Sequence, residues 1–326
     1  MGRHHVLSEL RGALLDASIL YSFDRSGFAR HARSFDPRDL DVDLSGRICL
    51  VTGASSGIGL ATAAELAQRG AHVHLLCRNR ERGASAQGAI VAATGNARVF
   101  VDLVDLSDLE SVRAFASSLA EEHVDVLVHN AGVLPAERII TRDGFELTFA
   151  THVAGPFLLT RLFEPRLRAG ARVIFVSSGG MYTQRLSMED LDWSGRAYDG
   201  VVAYAQTKRM QVVVAELLAE RSRAQISFHS MHPGWADTEA VRTSLPRFWR
   251  LLRHRLRTPA EGADTVVWLA TAASPGRESG LFWFDRTPRT THLLPFTHES
   301  ADERERLWNV CRGLATGASV HVRESA

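Results

Sequence analysis

From residue 47 to residue 284 the chain alternates short apolar runs with longer helical patterns, and that alternation restricts its fold more than any other feature. The run 48–51 stops at Gly53, and residues 58–69 follow helical spacing up to Gly70. Further strands are predicted at 73–77, 97–103, 124–128, 172–176, 225–231 and 281–284. Helices are predicted between them: one from a cap at Ser107 to about residue 122, a long one over 143–167, and others over 202–222 and 259–271. Strands that alternate with helices must be parallel, with helices covering both faces. The expected fold class is therefore α/β, a doubly wound parallel sheet (Rossmann fold).

No repeat, low-complexity stretch or linker divides this series, so residues 46–326 are expected to form one domain. Residues 1–45 form an N-terminal extension of different character. There Leu7, Leu10, Leu14, Ala17 and Tyr21 keep helical spacing, and a charged, turn-rich stretch over 24–43 carries Phe28 and Phe35 as anchors. Packing on the main domain is the simpler reading, and a contact with a membrane surface or a second copy stays open. Hydrophobic residues make up 45% of the 326 and charged residues 23%, enough for a substantial core. Lys and Arg number 38 against 37 Asp and Glu, a balance that argues against nucleic acid as a partner. No apolar run is long enough for a transmembrane segment. Glu9, Arg11 and Asp16 interrupt the start of the chain, which is not expected to be a secretory signal. Cys49, Cys77 and Cys311 form no C-x-x-C pair, so a reduced, cytoplasmic setting is expected.

Thr52-Gly53-Ala54-Ser55-Ser56-Gly57-Ile58-Gly59 joins the first strand to its helix. In an α/β sheet a dinucleotide binds at this turn. Glycines let the backbone approach the pyrophosphate, and the helix N-terminus holds its charge. The same residues also match G-x-S-x-G, the nucleophile elbow of α/β-hydrolases. That fold needs an earlier strand with an oxyanion loop, which the segment before Arg47 does not offer, and it leaves Gly59 unexplained.

Tyr204 and Lys208 stand at i and i+4, on one face of the predicted helix. A neighbouring ammonium favours a phenolate, which would make Tyr204 an acid or base near neutral pH. The fifth strand ends in Ser177-Ser178 and supplies a hydroxyl to polarise a carbonyl.

Together these motifs resemble the short-chain dehydrogenase/reductase family, over about residues 47–285. Asn130-Ala131-Gly132 after the fourth strand and Pro233-Gly234 through Thr238 after the sixth complete the match. The resemblance implies that Tyr204 exchanges a proton with the substrate oxygen and that Ser178 orients the carbonyl. It implies that Lys208 holds the nicotinamide ribose and lowers the Tyr204 pKa. Gly53, Ser55, Ser56, Gly57, Ile58, Gly59, Asn130, Ala131, Gly132, Pro233, Gly234 and Thr238 are expected to contact the cofactor, with Asp105 and Leu106 flanking its adenine. The segments 23–28, 39–40, 176–181 and 230–238 resemble a narrower branch, the member 12-like dehydrogenase/reductases, which carries no substrate over. The chain departs from the family at His152, where the pattern has the Asn that anchors a relay water. Imidazole also binds water and passes protons, so His152 is expected to take that place.

An acidic residue at the end of the second strand would read the ribose of NAD. Here Cys77 stands at that place with Arg78 beside it, which suits the 2′-phosphate of NADP(H). His72 with His74, and His229 with His232, lack partners at metal-ligand spacing, so no metal is expected. Phe248, Leu252 and Leu256 recur every four residues in a basic segment where the family carries its substrate lid. One helix there would turn an apolar stripe either toward the domain core or toward the ligand, and Trp235, Trp249 and Tyr182 at the pocket end suggest an apolar site. The expected activity is NADP(H)-dependent interconversion of a small-molecule carbonyl and alcohol on a lipophilic compound. Alternatives are a catalytically weak NADP-binding regulator and a membrane-surface adaptor; assembly into a homo-oligomer is left open.

Overall fold

The computed structural model describes residues 19–222 and 225–316. The leucines expected to form a helix at 7–14 lie outside them. Two short helices, α1 (Ile19–Phe23) and α2 (Arg25–His31), come first. The alternating series then runs β1 (Ile48–Thr52), α3 (Gly57–Gln68), β2 (His72–Cys77), α4 (Arg80–Thr94), β3 (Val99–Leu103), α5 (Leu109–Ser118) and β4 (Val124–His129). Next is α6, which runs Leu147–Phe149, widens into a π turn at Ala150–Ala154 and continues as Gly155–Phe163. After it come β5 (Leu167–Val176), α7 (Gly200–Arg221), β6 (Ser227–Met231), α8 (Glu239–Ser244), α9 (Pro246–Leu252), α10 (Pro259–Thr271), β7 (Leu281–Phe284), β8 (Thr287–Pro288) and α11 (Ala301–Thr316).

The strands lie in the order β3-β2-β1-β4-β5-β6-β7-β8, parallel except for β8. Chain order reverses between β1 and β4, and an open α/β sheet leaves its crevice at that switch point. All five residues of β1 are buried, because both faces are covered. Ile48 and Leu50 join the core shared with α5, α6, α7 and α11; Cys49 and Val51 join the one shared with α3, α4 and α10.

Four local expectations are corrected. Asp108, not Ser107, caps α5, accepting from the Glu110 and Ser111 amides; the Ser107 hydroxyl donates to Asp105 instead. That helix stops at Ser118, where Leu119 turns extended. The long helix starts at Leu147 rather than residue 143, because Glu146 caps it and Asp143 is occupied with the Leu109 amide. It also ends at Phe163, and Leu167 already opens β5.

The basic lid segment is not one helix through Leu256 but a short helix followed by a turn. Pro246 starts α9, which ends at Leu252, so Leu256 does not extend a stripe but is buried beneath the lid. Phe248 packs edge-on against Trp235 at 5.3 Å. Trp249 donates its indole N–H to Asp237. Tyr182 is also buried, its hydroxyl donating to the Thr290 carbonyl.

Candidate active site

The Gly-rich turn is held from behind by β4. Thr52 Oγ1 accepts the amides of Asn130 and Ala131 at 2.9 and 3.0 Å. Asn130 Nδ2 returns bonds to the Thr52 and Gly53 carbonyls. Gly53 and Gly57 have positive φ, +65° and +57°, where a side chain is strained. A Cβ on Gly59 would stand 2.4 Å from both Asn130 Nδ2 and the Gly53 carbonyl oxygen. Ser56 caps α3 by backbone position alone, with no side chain on the first amides. Those amides and the helix dipole therefore face outward, an arrangement suited to an anion. Ile58 packs into α10 against Gly262, and the Thr238 methyl lies beside Gly57.

Around this turn the predicted residues divide. Ser55 contacts the Cys77 thiol, which burial pushes up, and Arg78 follows, exposed, at the end of β2. The Asp105 carboxylate is taken by Ser107, and Leu106 is a core residue against the π turn. Leu106 therefore presents no side chain to a flanking ring. Gly234 has φ +74° and leaves room for the Arg257 guanidinium, and Pro233 beside it is half-buried.

Tyr204, Lys208 and Gln211 follow one another on α7 at spacings of four and three, on one face of the helix. Asp199 caps that helix with bonds to the Val201 and Val202 amides. The Ser178 hydroxyl meets the Tyr204 phenol and accepts from the Gly180 amide. Lys208 Nζ donates to the Val176 carbonyl and to Gln211 Oε1, each at 2.9 Å, and lies 5.5 Å from the Tyr204 ring centroid. Gly132 leaves space next to both Lys208 Nζ and His152.

Two expectations about this cluster change. Burial pushes the Tyr204 phenol above its ordinary range, with only Ser178 opposing. Burial also lowers the Lys208 ammonium, to about 7. His152 is not a free relay imidazole either. Its Nε2 accepts from the Val133 amide at 2.9 Å, so Nδ1 carries the proton and donates to Thr207 Oγ1 at 2.8 Å. Thr207 in turn donates to the Tyr204 carbonyl. Burial and nearby Lys208 keep the ring neutral. At this position α7 meets the His152 backbone carbonyl. It lies in the π turn, where the usual helical bonding is interrupted, and accepts from Gln211 Nε2 at 2.9 Å. Gln211 was missed in the sequence, although its place one turn beyond Lys208 was a usable signal.

Comparison with known proteins agrees with this geometry. The family model described as short chain dehydrogenase matches residues 47–247. Dehydrogenase/reductase SDR family member 12 of Bos taurus is 44% identical over 310 residues, covering 94% of this chain and 98% of its own. Retinol dehydrogenase 11 of Mus musculus is 37% identical, covering 83% and 86%. Among solved structures, L-sorbose reductase from Gluconobacter frateurii, complexed with NADPH and L-sorbose, superposes with a TM-score of 0.62 at 25% identity, over 75% of this chain and 96% of its own. No described helix is long and apolar enough to cross a membrane. With the switch-point turn, the Ser178–Tyr204–Lys208 cluster and this match in agreement, the chain belongs to the short-chain dehydrogenase/reductase family of oxidoreductases.

Proposed function

We propose that the chain is an NADP(H)-dependent oxidoreductase that reduces a carbonyl on a lipophilic small molecule and runs the reverse alcohol oxidation under suitable conditions. The observation that carries the reading is the meeting of the Ser178 hydroxyl, the Tyr204 phenol and Lys208 Nζ beside the switch-point crevice.

The turn at 53–59 fits a dinucleotide. A Cβ at Gly59 would collide with Asn130 Nδ2 and the Gly53 carbonyl that shape the turn, and the first amides of α3 carry no side-chain cap. In this reading Gly53, Ser55, Ser56, Gly57, Ile58 and Gly59 hold the pyrophosphate, while Asn130, Ala131 and Gly132 back the nicotinamide half. Thr238 closes over Gly57, and Arg78 reads the 2′-phosphate. When bound, NADP(H) supplies or takes up the hydride.

The protein's own groups then manage the proton and the oxygen. Ser178 spends a lone pair on the Gly180 amide, which leaves its O–H to donate to a substrate oxygen. The raised Tyr204 phenol is protonated at neutral pH, the form that gives a proton to a nascent alkoxide. Lys208, anchored by Val176 and Gln211, keeps a third N–H for the ribose and places positive charge near the phenolate as it forms.

A retinol dehydrogenase among the relatives and the aromatic pair Trp235–Phe248 at the lid support a lipophilic substrate. The test is a panel of aliphatic and ring carbonyls, retinaldehyde included, assayed with NADPH and with NADH. Turnover with NADPH on apolar carbonyls is expected. Tight NADPH binding without turnover across the panel would favour the regulatory alternative, and preference for NADH would overturn the cofactor assignment.

A further inference from the structure

His232 lies just past β6 and is 2% exposed, yet it plays no part in the chemistry above. Its Nδ1 accepts two amides, from Gly179 at 3.1 Å and from Gly234 at 3.3 Å. The first belongs to the residue after Ser178. The second lies in the loop that leads to Thr238 beside Gly57. One ring nitrogen therefore joins the loop of the reacting serine to the loop that borders the Gly-rich turn.

The ring is fixed on both sides. It stacks on Phe284 at 5.0 Å with an interplanar angle of 14°. Phe23, from the N-terminal segment, meets it edge-on at 4.3 Å. Phe23 and His232 fill the space over Gly179 so fully that a Cβ there would lie 2.7 Å from Phe23 Cε2 and 3.0 Å from His232 Nε2. The Phe23 carbonyl also accepts from the Trp235 amide and from Arg257 Nε. Burial, with help from Arg257, keeps the imidazole neutral at a pKa of about 3, against the opposing pull of Asp285. Its acceptor lone pair is thus present throughout the neutral range. With Gly179 held by His232 and Gly180 by the serine's own hydroxyl, both amides after Ser178 are fixed.

We propose that His232, backed by Phe23, is a positioning residue that sets the Ser178 loop against the loop after β6 and so aims the Ser178 hydroxyl at the substrate oxygen. This rests on the reading of Ser178 and Tyr204 as reacting groups. It also gives the N-terminal segment a role in the site rather than on the surface.

The test uses His232→Phe, which fills the space without an acceptor, and His232→Asn, whose Oδ1 stands in for Nδ1. Two readouts are taken on the full chain: amide hydrogen exchange over residues 177–183, and turnover of nonanal with NADPH. His232→Phe is expected to speed exchange there about tenfold while α7 stays protected. It should also lower kcat about tenfold or more, as misplacement of a reacting group does, with NADPH affinity nearly unchanged. His232→Asn should restore both. Exchange in His232→Phe equal to that of the unmodified protein, or equal impairment in both variants, overturns the proposal. Should His232→Phe not fold, Phe23→Leu takes its place. It is expected to give about a threefold loss in kcat with faster exchange over 177–183, and unchanged exchange overturns it. If the unmodified protein turns over no carbonyl, the functional reading fails, while the exchange arm still decides whether the clamp exists.

Discussion

The two walls of the crevice are built from different materials. The wall at β1, α3 and β4 consists of backbone and small side chains, with Thr52, Gly53 and Asn130 locked by hydrogen bonds among themselves and Gly59 packed closely against them. The wall beyond β6 is built around buried charge. Arg257, 1% exposed, forms a two-pronged pair with Asp285, whose other neighbour is His31 at 2.6 Å. Asp24 caps α2 and pairs with Arg255. A cradle of amides depends on shape and loses little when one contact goes. A buried charge cluster depends on every member, because each charge left unpaired stays out of water.

The largest expected effect tests that contrast directly. Asp285→Ala strands Arg257 and should cost about 3–5 kcal/mol of stability in urea denaturation. Thr52→Ala removes an acceptor from two amides and should cost about 1–3 kcal/mol. A Thr52→Ala variant less stable than Asp285→Ala would break the comparison. Chemistry comes next. Tyr204→Phe takes away the proton but leaves both walls standing, so turnover should fall about 100-fold or more. NADPH binding, followed by fluorescence, should hold; activity near that of the unmodified protein would remove Tyr204 from its role.

Acid should then act on buried histidines in both walls. Burial lowers His232 to about 3 and His229, on β6, to about 4; His129, at the end of β4, is lowered to about 3. All three lie below the unfolded value of 6.5, so the unfolded chain takes up protons first. Their stability contribution is complete above pH 6.5 and is lost as pH falls from there toward 4 and 3. Each ring costs up to about 1.4 kcal/mol per pH unit within that window. Tm should drop between pH 7 and 5, less steeply in His232→Asn, and a flat profile would contradict it. The smallest effect belongs to the exposed rim of the first wall. Arg78→Ala should weaken NADPH about tenfold and leave NADH unchanged, and an equal loss for both cofactors would show that Arg78 does not read the phosphate.

How much of each wall was legible in the sequence follows from the same contrast. The Gly-rich turn, Asn130, Ser178, Tyr204 and Lys208 were readable because each sits at a fixed offset from a strand or helix turn. The π turn was not, because nothing local at 150–154 distinguishes it from ordinary helix; it shows itself through the Gln211 bond to the His152 carbonyl. His152 was noticed as a departure, but its bonds to Val133 and Thr207 depend on how α6 and α7 pack. Arg257 and Asp285 left no trace, since a lone Arg and a lone Asp read as surface charges until β7 and the N-terminal segment close around them. The lid stripe misled for a related reason: the turn after Leu252 cuts Leu256 off from a pattern that spacing alone makes continuous.

The docking of α2 has a consequence in time. His31 and Asp285 are 254 residues apart, and Phe23 reaches Trp235 and Arg257 across a similar gap. A ribosome adding about 5–20 residues per second needs roughly 10–50 s to cover that distance. Through that interval Phe23 and Asp24 wait in solvent for partners not yet made, while β1 to β4 already have one another. The first part of this segment to be synthesised is thus among the last to find its place, and the loop carrying Ser178 is complete only when it does.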